Sequence, residues 1–319
     1  MHNEASLFFH KQERGVHMEN FYTMAETQAT LFIYILVGFF IRKKNWITKS
    51  TRKELIDVII NVLLPCMIFE SFNQSLTTQQ LISASLVLGV AFAVSFFSVL
   101  IGKIAFRSYP TQQQVIMKYG TLVPNSGFAG LPMISTIYGS LGLFYASIFV
   151  IPNRIFMWSA GISMFTQVDR KKRIKSVLLN PGIIAVFIGI LRMLSGITLP
   201  VFIDKSLNGM GSCTTALSMI MVGSILADTD VKTILSCGSL HLTFIRLILL
   251  PVITLMVLRY LCFDAVPMAT AVILTGMPVG STTAILAEKY GADAGFASKC
   301  VFLSTVLSLI TIPVLAIFL

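Results

Sequence analysis

The sequence predicts an all-α membrane protein of ten transmembrane helices, built as two inverted five-helix repeats whose fourth and ninth helices are broken. Composition is the first indication: 55% of the 319 residues are hydrophobic and only 12% are charged, against about a quarter charged in an ordinary soluble domain. The second is that lysine and arginine crowd into alternate loops. The third is a set of short motifs that return at an offset near 150, together with prolines set in the middle of two apolar runs.

At about 20 apolar residues per crossing, the runs fall at 28–45, 54–73, 80–105, 112–138, 143–166, 178–198, 206–226, 240–261, 265–289 and 294–318. The second run is the weakest, because Glu54, Asp57, Asn61 and Pro65 interrupt it, and its place rests on the loops either side. Ahead of the first run, the tail 1–27 carries Glu4, Glu13, Glu19 and Glu26 without a sustained apolar stretch, so it does not read as a cleavable signal peptide. Met18 offers an alternative start, and residues 1–17 are given no function.

Orientation follows from the cations. Arg42, Lys43, Lys44, Lys49, Arg52 and Lys53 separate the first two spans, Lys103 and Arg107 end the third, and Arg170, Lys171, Lys172, Arg173 and Lys175 follow the fifth. These loops belong on the cytoplasmic side and both termini outside it, in a plasma membrane. The intervening loops, "SFNQSLTTQQ" at 71–80, "GSLG" at 139–142 and "LPVFIDKSLNG" at 199–209, carry almost no positive charge. Some of the cations would also meet lipid phosphates.

"VGFFIR" (Val37 to Arg42) is echoed by "IGILR" (Ile188 to Arg192), and "YGSLGLFYASIF" (Tyr138 to Phe149) by "YGADAGFASKCVF" (Tyr290 to Phe302). The shared offset divides the chain into a first repeat at 28–166, a basic loop at 167–177 and a second repeat at 178–319. Five spans is an odd number, so the second copy enters the membrane from the opposite side. Inverted repeats of this kind place a central site between broken helices at matched positions.

Those breaks are "VPNSGFAGLP" in the fourth span and "LTGMPVGSTTAI" in the ninth. Proline removes a helical N–H and clashes with the preceding turn, so a continuous helix through Pro124 or Pro278 is disfavoured by about 3 kcal/mol. A parted helix leaves unpaired N–H groups at the start of its second half, with about half a positive charge there. Two such ends meeting at mid-membrane would form an anion site without a cationic side chain. Gly127 and Gly280 would allow close approach, while Asn125, Ser126, Ser281, Thr282 and Thr283 would supply directional hydrogen bonds. The plainer reading is a pair of proline kinks satisfied by neighbouring helices.

Other function classes fit poorly. The cysteines Cys66, Cys213, Cys237, Cys262 and Cys300 stand singly with no C-x-x-C spacing, so neither a disulfide frame nor a metal site is indicated. The net charge of +10 is spread over loops rather than gathered in a patch for nucleic acid. No P-loop is present, and His241 has no acidic partner in a hydrolase-like arrangement, so the chain reads as neither an ATPase nor an enzyme and no cofactor is expected. The fifth span lacks the paired acids of a cation/proton antiporter.

"PNSGFAGLPM" followed by "YG", and "MPVGSTTAILAEKYGADAGFASKCVFLSTVLSLITIPV" near the C-terminus, resemble the auxin efflux carrier family, whose bacterial and fungal members include malonate and other organic-anion permeases. "LPCMIF" (Leu64 to Phe69) and "NPGIIAVFIGI" (Asn180 to Ile190) extend the resemblance along the chain. It implies a scaffold of spans 1, 2, 6 and 7, a mobile body of spans 3–5 and 8–10, and a substrate site where spans 4 and 9 cross. Asn125 matches the family's crossover asparagine and Pro278 its second crossover proline, whereas Val279 and Gly280 replace the second amide. A bacterial inner-membrane carrier, pairing with its own copy, is the form this likeness implies.

Arg154, in "VIPNRIFMW", falls near the centre of the fifth span, where a lone charge costs at least about 2.5 kcal/mol. Its planar fork would hold a carboxylate. Alternatively it would neutralise the C-terminal end of a broken half-helix or pair with Glu70. Asn153 would serve the same cavity. Glu70 is the candidate for proton coupling, with a solvated membrane-edge residue as the plainer account. The resulting expectation is a secondary transporter for a small mono- or dicarboxylate, auxin- or malonate-like, coupled to protons or sodium. A sodium-coupled carrier like the bile-acid symporters and a non-transporting membrane receptor are the alternatives.

Overall fold

The structure, a computed structural model, describes residues 22, 26, 29–73, 77–165, 174–175, 178–228 and 235–319. Arg170, Lys171, Lys172 and Arg173 of the basic loop, and the tail apart from residues 22 and 26, lie outside them.

Every described element is helical. A first helix, α1 (29–43), is followed by α2, which runs without interruption through Lys49–Val58, a π turn at Ile59–Leu63 and Leu64–Glu70. The π turn explains why a segment containing Pro65 stays helical: the wider turn, in which the Leu64 N–H reaches back to the Ile59 carbonyl, absorbs the residue that would otherwise clash. Next come α3 (Thr78–Ala105), α4 (Thr111–Leu122) and α5 (Ser126–Phe165). A capping box starts α3, with Thr77 Oγ1 accepting from the Gln80 N–H and Gln80 Oε1 accepting from the Thr77 N–H.

The second half comprises α6 (Pro181–Ser195), α7 (Val201–Leu226), α8 (Cys237–Tyr260), α9 (Ala265–Thr275), α10 (Thr282–Lys289) and α11 (Ala294–Ala316). Asn180 caps α6 and Pro181 opens it, while Gly196 ends it with φ of 64°. The stretch 199–209, expected as a loop, is mostly helix, because α7 already begins at Val201. Asp204 in its first turn suits the positive end of the helix and also holds Arg192 through Nη2 at 2.7 Å.

Five of these helices, α3, α5, α7, α8 and α11, are long and apolar enough to cross a membrane. α5 is the longest, at 40 residues. It bends at Gly139, whose φ of 59° and ψ of −152° belong to a region that side chains avoid. Its motif counterpart Gly291 has φ of 71°, so both "YG" pairs place a glycine where the chain must take positive φ. Gly139→Ala meets no neighbouring atom, so its effect comes from the backbone alone. It is expected to lower unfolding stability by about 1–3 kcal/mol, which a thermal melt in detergent would detect.

α2 packs mainly on α6 and α7, whereas α3 packs on α4 and α5, α9 on α5 and α8, and α11 on α8 and α10. At the centre lies α9, buried at every position from Pro267 to Thr275, as expected of a helix apolar all round. Phe72 at the end of α2 meets Phe144 of α5 edge to face with centroids 5.3 Å apart.

Candidate functional site

The two breaks cross each other. Between α4 and α5 the chain is extended at Val123, as the residue before a proline must be. Between α9 and α10 it opens from Gly276 to Ser281. Pro124 and Val279 face one another as an antiparallel pair, flanked by two backbone hydrogen bonds: the Asn125 N–H to the Pro278 carbonyl at 2.8 Å and the Gly280 N–H to the Val123 carbonyl at 3.0 Å. Each break therefore satisfies part of the backbone that the other leaves open. Gly280 suits this approach, because a Cβ there would stand 3.1 Å from the Val123 carbonyl oxygen and press it back by a few tenths of an ångström. On the far side the Val279 N–H donates to Ser304 Oγ of α11 at 3.1 Å, fixing the crossing to a third helix.

The ends of the broken helices are treated differently. The carbonyl ends of α4 and α9 converge on Arg246, which is only 1% exposed. Its guanidinium donates to Thr121 O at 2.8 Å, Thr275 O at 2.8 Å and Met277 O at 3.0 Å. One buried cation thus offsets the negative ends of both half-helices. The amide ends of α5 and α10 have no anionic partner among the described residues and instead border a cavity of about 40 Å³. That is room for about three waters or a small carboxylate group.

Nine of the eleven site residues expected from sequence line this cavity: Pro124, Asn125, Ser126, Gly127, Asn153, Arg154, Gly280, Ser281 and Thr282. Pro278 lies on the other side of the crossing, in a smaller cavity that Asn125 also borders. Thr283 is fully buried and lines neither of these cavities. Glu70 is likewise elsewhere, with its carboxylate 3.1 Å from Arg192 Nη1. Both alternatives considered for Arg154 are therefore filled by other residues: Arg192 pairs with Glu70, and Arg246 caps the half-helices.

Asn125 is 3% exposed and Asn153 is 8% exposed, yet the side-chain Nδ2 of each has no hydrogen-bond acceptor. Asn153 Oδ1 accepts from Ser95 Oγ at 3.1 Å, which turns its amide N–H₂ away from α3. A buried donor left in that condition costs about 1–3 kcal/mol, so both call for an acceptor. Arg154 makes no ion pair with any described residue. Its Nη2 lies 2.5 Å from where a Cβ on Gly127 would sit, so the guanidinium rests directly on the first turn of α5. No aspartate or glutamate among the described residues lines the cavity. Among the described residues, no group of three or more histidine, cysteine or acidic side chains is arranged to hold a metal.

Each of the four π turns among the described residues contributes to this region: Ile60 from Ile59–Leu63, Gly127 from Ser126–Gly130, Met157 from Met157–Gly161, and Arg246 from Ile245–Leu249. A π turn rotates the residues beyond it relative to a regular helix and is common where function needs a side chain re-aimed. Sequence reasoning missed Arg246, Ser304 and the apolar wall of Ile60 and Leu64. A basic residue in the apolar run "FIRLILLP" was the only available signal for Arg246.

A family model described as membrane transport protein matches residues 23–316. An uncharacterized transporter of Methanothermobacter thermautotrophicus is 24% identical over 296 residues, covering 90% of this chain and 96% of its own. One from Methanocaldococcus jannaschii is 25% identical over 296 residues, covering 88% and 94%. The uncharacterized transporter YfdV of Escherichia coli K12 is 21% identical over 298 residues, covering 89% and 93%. The chain is thus a multi-pass membrane transporter that belongs to the membrane transport protein family, the family of the auxin efflux carriers.

Proposed function

We propose that the chain is a secondary carrier of a small mono- or dicarboxylate, bound at the crossing of the broken helices and moved by alternating access. The observation that carries this reading is the set of donors around the cavity. Asn125 and Asn153, each with an Nδ2 that lacks an acceptor, line it beside Arg154, which makes no ion pair with a described residue; two helix N-termini border it, and no carboxylate lines it among the described residues. Such a site suits an anion with several acceptor lone pairs. A sodium site would need oxygen ligands instead.

The carrier reading uses ten spans in two inverted repeats. A straight helix of 40 residues would measure about 60 Å, twice the hydrocarbon thickness, so α5 counts as two spans folded at Gly139. α9 and α10 together form one span, as do α4 and the first part of α5. The matched positive φ at Gly139 and Gly291 supports the repeat. The packing of α2 mainly on α6 and α7, with lesser packing of these three on α5 and of α7 on α11, supports a scaffold set against a moving body.

The test is uptake of labelled short mono- and dicarboxylates into proteoliposomes, with and without pH, sodium and voltage gradients. Replacing sodium with choline would separate sodium from proton coupling. Asn125→Ala is expected to cut uptake about tenfold or more, the loss of one to two hydrogen bonds to a charged group, while the chain stays folded. Near-normal uptake by that variant would refute its role.

A further inference from the structure

We propose, building on the carrier reading, that the face of α2 bearing Lys53, Asp57 and Asn61 is one wall of a water-filled path from the side of the basic loops to the crossover cavity. Ile60 and Leu64 line that cavity. Counting back along the helix from Ile60, Asp57 and Lys53 follow at the spacing of a single stripe, and Asn61 adjoins it at the π turn. Lys53, Asp57 and Asn61 are exposed. Asn61 lies 12 residues beyond Lys49, the first residue of α2, or about 18 Å along the axis, and Asp57 about 12 Å along it. Within a membrane span, a carboxylate or an amide facing hydrocarbon is strongly disfavoured. Asp57 forms no ion pair with a described residue. The Asn61 amide donates to the Asp57 carbonyl at 2.7 Å, which satisfies one of its donors. Water is the medium that accommodates both.

The packing of α2 sets the direction in which this path opens. Its last part, Leu64–Glu70, packs on α5, α6 and α7, and Arg192 joins Glu70 at 3.1 Å to Asp204 at 2.7 Å. Its first part, Lys49–Val58, packs chiefly on α7. The Glu70 end is therefore packed among three helices, whereas the Lys49 end is held chiefly to α7, where Arg52 donates to Ser224 O and pairs with Asp228. Val58 and Val62, also exposed, are apolar and suit lipid.

The test uses Asp57→Cys, Asn61→Cys and Val62→Cys in the full-length chain, reconstituted in vesicles. A charged, membrane-impermeant thiol reagent is applied from either side, with the parent chain and its own cysteines as background. A thiol in water ionises and reacts, whereas one in hydrocarbon is inert. Asp57→Cys and Asn61→Cys are expected to react from the basic-loop side about tenfold or more faster than Val62→Cys. Equal rates, or reaction only from the opposite side, would overturn the proposal. Cross-linking of Asn61→Cys chains to one another would also overturn it, by placing a second copy of the chain on this face. Labelling does not require flux, so a chain that labels as expected yet carries no carboxylate would sink the carrier reading and leave the path standing.

Discussion

Arg246→Met is expected to destabilise the protein by about 3 kcal/mol or more, since three buried carbonyls lose their donor at about 1–3 kcal/mol each. In the native chain one guanidinium serves three carbonyls belonging to two half-helix ends. Methionine fills much of the volume but leaves Thr121 O, Thr275 O and Met277 O without a donor in a region closed to water. Each orphaned carbonyl costs about 1–3 kcal/mol, and the C-terminal ends of α4 and α9 lose their counter-charge. Arg246→Lys is expected to fall between the two, since a single ammonium cannot copy the spread of the fork. Unfolding in detergent followed by intrinsic fluorescence measures the effect, and a melt of Arg246→Met matching the parent would remove the capping role.

Arg154→Gln is expected to do the opposite: to leave stability unchanged or raise it, while weakening carboxylate binding about 10- to 150-fold. That range corresponds to loss of a charge-assisted hydrogen bond of about 1.5–3 kcal/mol. The stability effect has the reverse sign because Arg154 pairs with no described carboxylate. An unpaired cation inside a membrane protein is a cost borne for function. Gly127→Ala provides a second way to disturb the same group, since the added methyl would meet Arg154 Nη2 at 2.5 Å and push the guanidinium aside. Parent-like binding by Arg154→Gln would mean that the cavity holds its ligand without this cation. Two buried arginines in one protein thus carry opposite expectations, decided by what surrounds each.

Much of the site was legible in the sequence because the residues that break helices are few and conspicuous. Pro124, Pro278 and the glycines around them stand out in an apolar chain, and Arg154 stands out as a charge at mid-span. The partners were not legible. Arg246 acts on backbone carbonyls 125, 29 and 31 residues away, and every residue type offers a carbonyl, so side-chain identity carries no sign of the contact. Glu70 could be matched to several cations on charge alone, and only the packing of α2 against α6 selects Arg192. In the fold, α2 looked weakest because of Asp57, Asn61 and Pro65, and the π turn that keeps it helical has no residue signature of its own. The start of α7 was missed for a related reason: hydropathy marks where apolar residues resume, whereas Asp204 and Lys205 are helical within a polar turn.

The most direct test is calorimetric titration of short mono- and dicarboxylates, and of their uncharged amide analogues, into the purified chain and into an Asn125→Ala/Asn153→Ala double variant. The carboxylates are expected to bind the parent, to lose about tenfold or more in affinity on removal of the two amides, and to outcompete the analogues. Carboxylates that bound the double variant as tightly as the parent, or amide analogues that bound as well as the anions, would contradict an anion site at the crossing.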